Sequence, residues 1–147
     1  MVAARWIVWL ERLARWALAA IFLAAAVPKI IDPSGFAADI SRYDMVPDIF
    51  VNPMAIMLPW IEAVAGLALL SGFAAEGSLL LVNLLIVVFM VGLGQAWVRG
   101  LDIDCGCFGH SEAKGEIGLA FLRDIGFLAL GLSAAWLRRR RFRAPAF

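Results

Sequence analysis

The 147-residue sequence has little of what soluble catalytic domains use: two cysteines, one histidine, one tyrosine and only 17% charged residues. Two cysteines and one histidine are too few for the usual four-ligand zinc site, so no metal centre of that kind is expected. No segment combines dense basic charge with a soluble composition, so no nucleic-acid partner is expected either. These shortages exclude zinc-finger and nucleic-acid-binding classes. The length of 147 residues leaves room for one compact bundle and for no separate soluble domain.

Apolar residues are what the sequence has in abundance. They make up 63% of the chain, and the mean hydropathy is +0.87, both well above the values of soluble domains. Four stretches have the roughly 20 residues that cross a bilayer, at about 13–31, 54–73, 78–98 and 117–137. The sequence therefore predicts an all-α, integral membrane four-helix bundle, with residues 1–147 as a single domain.

The first apolar stretch also has features of a secretory signal, because a basic start and an apolar middle precede Ala24-Ala25-Ala26. The apolar run continues to Ile31, however, and removal of this segment would leave only three spans. We therefore interpret it as the first membrane helix.

The basic residues divide unequally between the two sides of the predicted bundle. Eight flank the spans on the side of the termini and four lie on the other side. The first set is Arg5, Arg12, Arg15, Arg138, Arg139, Arg140, Arg141 and Arg143, and the second is Lys29, Arg42, Arg99 and Lys114. The positive-inside rule then predicts a multi-pass protein of the cell inner (plasma) membrane, with both termini cytoplasmic and extracytoplasmic loops at 32–53 and 99–116. Within the first of these loops, residues 34–43 are expected to form a short surface helix with Phe36 and Ile40 turned toward lipid.

Both cysteines lie in the second loop, as Cys105-Gly106-Cys107, and the single histidine follows at position 110. A disulfide across one intervening residue closes a small, strained ring, which makes the bond easier to reduce. The motif therefore favours a redox-active Cys105–Cys107 disulfide, with His110 as a candidate proton carrier. A structural disulfide, two unreactive thiols and a site for a soft metal such as copper or mercury remain alternatives.

Charged residues also occur inside the predicted spans. Helix arithmetic places Glu62 roughly 13 Å below the loop surface and Arg123 and Asp124 roughly 10 Å below it, with Lys29 near the same level. Charges in hydrocarbon are costly unless they are paired or wet, so we expect ion pairs, either Glu62–Arg123 or Lys29–Asp124. The same cluster could bind a polar headgroup or a quinone, or relay protons, and Trp60, Trp97 and Phe108 could line such a cavity.

Several motifs together resemble the DoxX-like membrane protein family, and especially its MauE branch, which is associated with methylamine utilisation. They are Pro28-Lys29-Ile30, Asp32-Pro33, Trp60-x-Glu62-x-x-x-Gly66, Cys105-Gly106-Cys107-Phe108-Gly109 and Arg123-Asp124. The resemblance implies extracytoplasmic thiol–disulfide chemistry, commonly beside thioredoxin-like partners, and in some relatives quinone-linked sulfur oxidation. The chain has no second cysteine pair, so a relay through two internal disulfides is excluded.

The expected function is therefore a thiol–disulfide oxidoreductase embedded in membrane lipid. It would exchange electrons between an extracytoplasmic thiol or thioredoxin-like partner and a membrane quinone through Cys105 and Cys107. A soft-metal binding or transport protein and a non-enzymatic maturation scaffold for a partner protein are the alternatives.

Overall fold

The computed structural model describes the backbone of residues 2–100 and 117–143, and the side chains of residues 5–100 and 118–141. Five helices follow one another in these ranges, and no strand occurs in them. They are α1 (Val2–Ile31), α2 (Pro33–Arg42), α3 (Asp48–Ser71), α4 (Ala75–Val98) and α5 (Ile117–Arg143). The assignment of the whole chain to one domain stays a prediction.

Four of these helices are long and apolar enough to cross a membrane, namely α1, α3, α4 and α5. This confirms the predicted all-α membrane bundle. Each of the four begins before the predicted start of its span or extends beyond the predicted end, because polar and aromatic residues at the boundaries continue the helices. The first helix runs without a break through Ala24–Ala26 to Ile31, and Leu18, Phe22 and Ala26 on it are buried against the other helices.

The four long helices form a ring in which α1 packs against α3 and α5, and α4 packs against the same two helices. The core of the ring is apolar, and Leu18, Leu69 and Val82 in it have no exposed surface. The outer surface is apolar too, with Leu80 73% exposed and Val98 89% exposed. Helices that are apolar on every face are typical of membrane spans, since lipid covers the outer residues.

The alternating helix directions give the bundle two distinct ends. We call the end that holds the start of α1, the α3–α4 turn and the end of α5 the terminal end. We call the opposite end, where α1 and α4 finish and α3 and α5 begin, the loop end.

Helix α2 lies at the loop end, and it confirms the predicted short helix but not its orientation. Asp32 begins the helix by accepting hydrogen bonds from the Gly35 amide at 2.9 Å and the Ser34 hydroxyl at 2.6 Å. The prediction that Phe36 and Ile40 face lipid is wrong, because both are buried in a cluster with Val51 and Ala55. The reason is that α3 starts at Asp48 rather than near residue 54, so its first turns supply a protein surface on which α2 buries its apolar face.

A tight turn at Gly72 joins α3 to α4 at the terminal end. Gly72 has a φ of +79°, in the left-handed region, and its amide closes α3 by donating to the Ala68 carbonyl at 3.0 Å. A Cβ atom at this position would lie against Nη1 of Arg15. Glycine is therefore required both by the backbone conformation and by the close approach of the arginine.

We expect Gly72→Ala to lower the free energy of unfolding by about 1–2 kcal/mol through left-handed backbone strain alone, with a further loss from displacement of Arg15. The matched control is Gly77→Ala in α4, where a Cβ would meet nothing within 4 Å and the added methyl favours helix. Reversible unfolding of both variants in detergent micelles measures the difference. Equal stabilities would contradict the proposed role of Gly72.

Candidate functional site

Lys29, in the last turn of α1, and Glu62 of α3 form a buried ion pair. The Lys29 Nζ donates to both carboxylate oxygens of Glu62, at 2.8 and 3.0 Å. Lys29 is 3% exposed and Glu62 has no exposed surface. The ammonium group also lies over the rings of Phe36 and Phe89, at 5.0 and 4.8 Å from their centres. The carboxylate and the two aromatic rings both stabilise the buried cation.

Arg123 and Asp124 of α5 form a second charged pair beside the first. The Arg123 side chain turns back on its neighbour and donates to Oδ1 of Asp124 through Nε at 3.2 Å and Nη2 at 3.1 Å. Asp124 is 5% exposed, while the Arg123 guanidinium lies over the Phe127 ring at 5.6 Å. Lys29 is also close enough to Asp124 for their opposite charges to attract.

The four charged residues are therefore brought together as predicted, but the pairing differs from both predicted pairs. The sequence suggested Glu62–Arg123 or Lys29–Asp124, whereas the hydrogen-bonded pairs are Lys29–Glu62 and Arg123–Asp124. Glu62 faces α1, the helix against which α3 packs most closely, and this brings it to Lys29. We call these four residues the loop-end cluster.

A small cavity lies between the members of the loop-end cluster. Its volume is about 40 Å³. The other residues lining it are Ile21, Phe22, Ala25, Ile86, Phe89 and Phe127. A water molecule needs about 10–15 Å³ on this measure, whereas benzene fills an engineered cavity of about 150 Å³. The cavity therefore admits a few water molecules, and it is too small for a quinone ring.

Trp60 and Trp97 do not line this cavity. Trp60 is 58% exposed on the outside of α3, and Trp97 is 56% exposed and packs against Phe121 with ring centres 6.1 Å apart. The prediction that Trp60 contributes to the site fails because residues two apart on a helix point in nearly opposite directions. Since Glu62 faces the core, Trp60 must face lipid, where an aromatic side chain is a common membrane anchor.

Cys105, Cys107, Phe108 and His110 lie outside the described residues. The described residues on either side show where this segment is attached. Helix α4 ends at Val98 and helix α5 begins at Ile117, and both of these positions lie at the loop end. Arg99 also fixes the end of α4, since it donates to the Tyr43 carbonyl at 3.2 Å and to the Asp44 carboxylate at 3.2 Å. The segment that carries both cysteines is therefore attached at both ends to the part of the bundle that holds the loop-end cluster.

Sequence reasoning missed a second buried charged group, at the terminal end. Glu11 has no exposed surface, and its Oε1 lies 3.5 Å from both Arg15 Nε and Arg138 Nη1. Arg138 also approaches Glu76 at 3.8 Å. These arginines were counted only as surface charge. The spacing of Glu11 and Arg15, one helical turn apart within an apolar helix, is the signal that could have shown the pair.

The fold and this arrangement define a class of protein: a four-span membrane protein with an ion-pair cluster inside its spans, whose cysteine-bearing segment connects two helices at the loop end. The family described as methylamine utilisation protein MauE matches residues 4–137. The chain therefore belongs to the MauE family, which confirms the resemblance to MauE, while the wider DoxX-like relationship stays a prediction.

Curated relatives agree with this assignment. The methylamine utilization protein MauE of Paracoccus denitrificans is 30% identical over 119 residues, which are 80% of this chain and 64% of that protein. The proteins of the same name from Methylorubrum extorquens and Methylophilus methylotrophus are 27% and 28% identical, each over 80% of this chain and 63% of theirs. The chain thus spans just under two thirds of the length of these relatives. No solved structure matches it significantly.

The buried pair gives a stability prediction. Glu62→Gln or Lys29→Met alone leaves one buried charge without its partner, and we expect a loss of about 3–5 kcal/mol in the free energy of unfolding. The double variant Lys29→Met, Glu62→Met should recover most of that loss, because no charge remains and the side-chain volume is similar. Unfolding by denaturing detergent in mixed micelles measures all three variants.

The control is Asp44→Asn, which removes an exposed ion pair with Arg99 and should cost less than about 1 kcal/mol. A double variant as unstable as the two single variants added together would show that the two side chains do not act as a pair.

Proposed function

We propose that this chain is a membrane thiol–disulfide exchange protein whose reactive pair is Cys105 and Cys107. The observation that carries the proposal is the loop-end cluster: four charged side chains that line one cavity within the spans, in the bundle whose loop end holds both attachments of the cysteine-bearing segment. Ionisable groups inside membrane spans are rare because of their free-energy cost, and they usually mark a functional site.

The proposed reaction needs no group besides the two proteins. A thiolate of an extracytoplasmic partner, such as a thioredoxin-like protein, attacks one sulfur of the Cys105–Cys107 disulfide. The S–S bond breaks, a mixed disulfide forms, and the other cysteine leaves as a thiolate. The partner's second thiolate then attacks the mixed disulfide, so the partner is oxidised to a disulfide and this chain is reduced to a dithiol. The reverse direction uses the same steps.

The loop-end cluster supports this chemistry electrostatically. Nearby cations stabilise a thiolate, and the cluster contains two: Lys29, which is buried, and Arg123, which is partly exposed. Glu62 and Asp124 hold the two cations in place through hydrogen bonds. His110 is the proposed proton carrier for the leaving thiolate.

A quinone as the next electron carrier is a separate hypothesis. The cavity within the loop-end cluster is too small for a quinone ring, so we derive no step through a quinone bound there. Oxidation of the dithiol by a membrane quinone at another position would appear as faster loss of free thiols when a soluble quinone analogue is added.

The names of the relatives suggest the process that the exchange serves. Proteins described as methylamine utilization protein MauE are similar over 80% of this chain. We extend the proposal accordingly: this chain carries out thiol–disulfide exchange in methylamine utilisation, on a protein that needs its disulfides formed or rearranged.

The exchange proposal predicts the behaviour of cysteine variants. With the full chain in lipid nanodiscs, a dithiol-containing thioredoxin-like protein should reduce the oxidised chain, and alkylation followed by mass spectrometry should find two new thiols. Cys105→Ser or Cys107→Ser should stop turnover, because neither variant can form the internal disulfide. When the partner is supplied in its disulfide form instead, the variant that keeps the attacking cysteine should accumulate the mixed disulfide: its thiolate displaces one partner sulfur as a thiolate, and this chain has no second thiol to resolve the product. Gly77→Ala, in the first turns of α4 at the terminal end of the bundle, serves as the control with unchanged exchange.

Two other outcomes would overturn the exchange proposal. If both serine variants support methylamine utilisation as well as the natural chain, the protein acts as a scaffold. If the reduced chain binds copper(I) tightly and exchanges no thiols with any dithiol protein, it is a soft-metal carrier.

The location of the reaction is a further part of the proposal. The described basic residues outnumber the acidic ones at the terminal end, which supports cytoplasmic termini and an extracytoplasmic cysteine segment. A membrane-impermeant maleimide should therefore label reduced Cys105 and Cys107 in intact spheroplasts. In a variant that carries Cys105→Ser, Cys107→Ser and Arg139→Cys, labelling should require inverted vesicles. The opposite pattern would place the termini outside the cytoplasm.

A further inference from the structure

A groove runs between α4 and α5 at the terminal end, far from the loop-end cluster. Its volume is about 320 Å³. Its rim carries Glu76, Trp136, Arg138 and Arg139, and its walls include Leu79, Leu80 and Leu132. Leu80 is 73% exposed and Leu132 is 56% exposed, so the groove opens on the face that lipid covers. None of its residues belongs to the proposed exchange site.

The rim has an excess of positive charge. Its one carboxylate, Glu76, lies 3.8 Å from Arg138, which also approaches the buried Glu11 at 3.5 Å. Arg139 is exposed and has no carboxylate within 4.0 Å among the described residues. One guanidinium on the rim is therefore available to an anion.

The other side chains around the groove are of the types found where a membrane protein meets lipid headgroups. Trp136 is half exposed on the rim, and the guanidinium of Arg140 lies over its ring at 3.9 Å. Tryptophan and arginine are the side chains that membrane proteins place at the level of lipid headgroups. Directly below them the leucine walls offer a surface for hydrocarbon. The groove thus combines a cationic rim with an apolar channel open to the bilayer.

We propose that this groove is a binding site for one anionic phospholipid. The phosphate lies on the rim against Arg139, where a guanidinium can donate two hydrogen bonds to it, and one acyl chain lies along Leu79, Leu80 and Leu132. A zwitterionic lipid carries a compensating cation beside its phosphate, so it gains less from the same arginine. The site prefers anionic headgroups for this reason.

Native mass spectrometry of the full chain in detergent micelles tests this proposal. The probes are dioleoyl phosphatidylglycerol and dioleoyl phosphatidylcholine, which have the same acyl chains and different net charges. The natural chain should retain phosphatidylglycerol preferentially. Arg139→Gln should reduce that retention about fivefold, the effect of one arginine near an anionic headgroup.

Two further variants distinguish lipid binding in the groove from general attraction of anionic lipid to the basic end of the protein. Arg12→Gln removes the same charge from α1 at the same end of the bundle, outside the groove, and should leave retention unchanged. Leu80→Trp keeps every charge but fills the groove at an exposed position, and should reduce retention by a similar factor to Arg139→Gln.

Three outcomes would overturn the proposal. Equal retention of the two lipids would show that the charge of the rim does not select a headgroup. Equal losses in Arg12→Gln and Arg139→Gln would show diffuse attraction to the basic end. Displacement of phosphatidylglycerol by an excess of inorganic phosphate would show a phosphate site that does not use the acyl chain.

Discussion

A lysine and a glutamate, buried against each other between two membrane helices, set the constraint around which the bundle is built. Neither Lys29 nor Glu62 can lie alone in hydrocarbon, and both reach their hydrogen bonds only when α1 and α3 pack in one register. That register places α2 over the pair, because Phe36 covers the ammonium group, and it brings α4 close enough for Phe89 to cover the other side. Asp124 then enters from α5 with its own cation. The ion pair thus sets the register of α1 and α3, and residues of the other three helices pack around it.

Buried opposite charges also join helices at the terminal end, where one carboxylate is shared by two guanidinium groups. Buried Glu11 lies between two arginines from α1 and α5, and the turn at Gly72 leaves space for one of them. The two charged groups lie at opposite ends of the bundle, and the core between them is apolar. Membrane helices slide past each other easily when their contacts are only apolar, and fixed charges at both ends oppose such sliding. The two groups differ in the space beside them, since the loop-end group lines a cavity of about 40 Å³ and the terminal-end group adjoins a groove of about 320 Å³.

Much of the fold follows from the sequence, since four apolar runs of membrane length predict four spans, and the short link between the second and third predicts that these two are antiparallel. The residues of the loop-end cluster could also be found, because charges in apolar runs are conspicuous. Their pairing could not, since it depends on which faces of α1, α3 and α5 meet, and apolar helices have no polar face to reveal this. The same lack of a polar face concealed the orientation of Trp60 and the burial of Glu11. The predicted orientation of helix α2 was wrong for a related reason. Its apolar face could be covered by lipid or by protein, and the early start of α3 supplies the protein surface that covers it.

Membership of the MauE family and the loop-end cluster are the two observations on which the proposed exchange function depends. The most direct measurement is whether the cysteine segment lies over that cluster. In a Cys105→Ser background, which leaves Cys107, a second cysteine is introduced by Arg123→Cys or by Leu122→Cys, the latter at a position 63% exposed toward lipid. Because a disulfide requires Cβ atoms within about 4.5 Å, mild oxidation reports proximity directly. The proposed site requires that Cys107 form a disulfide with the cysteine of Arg123→Cys and none with that of Leu122→Cys. The reverse result would contradict the account, and so would the absence of both cross-links under conditions in which the natural chain forms its Cys105–Cys107 disulfide.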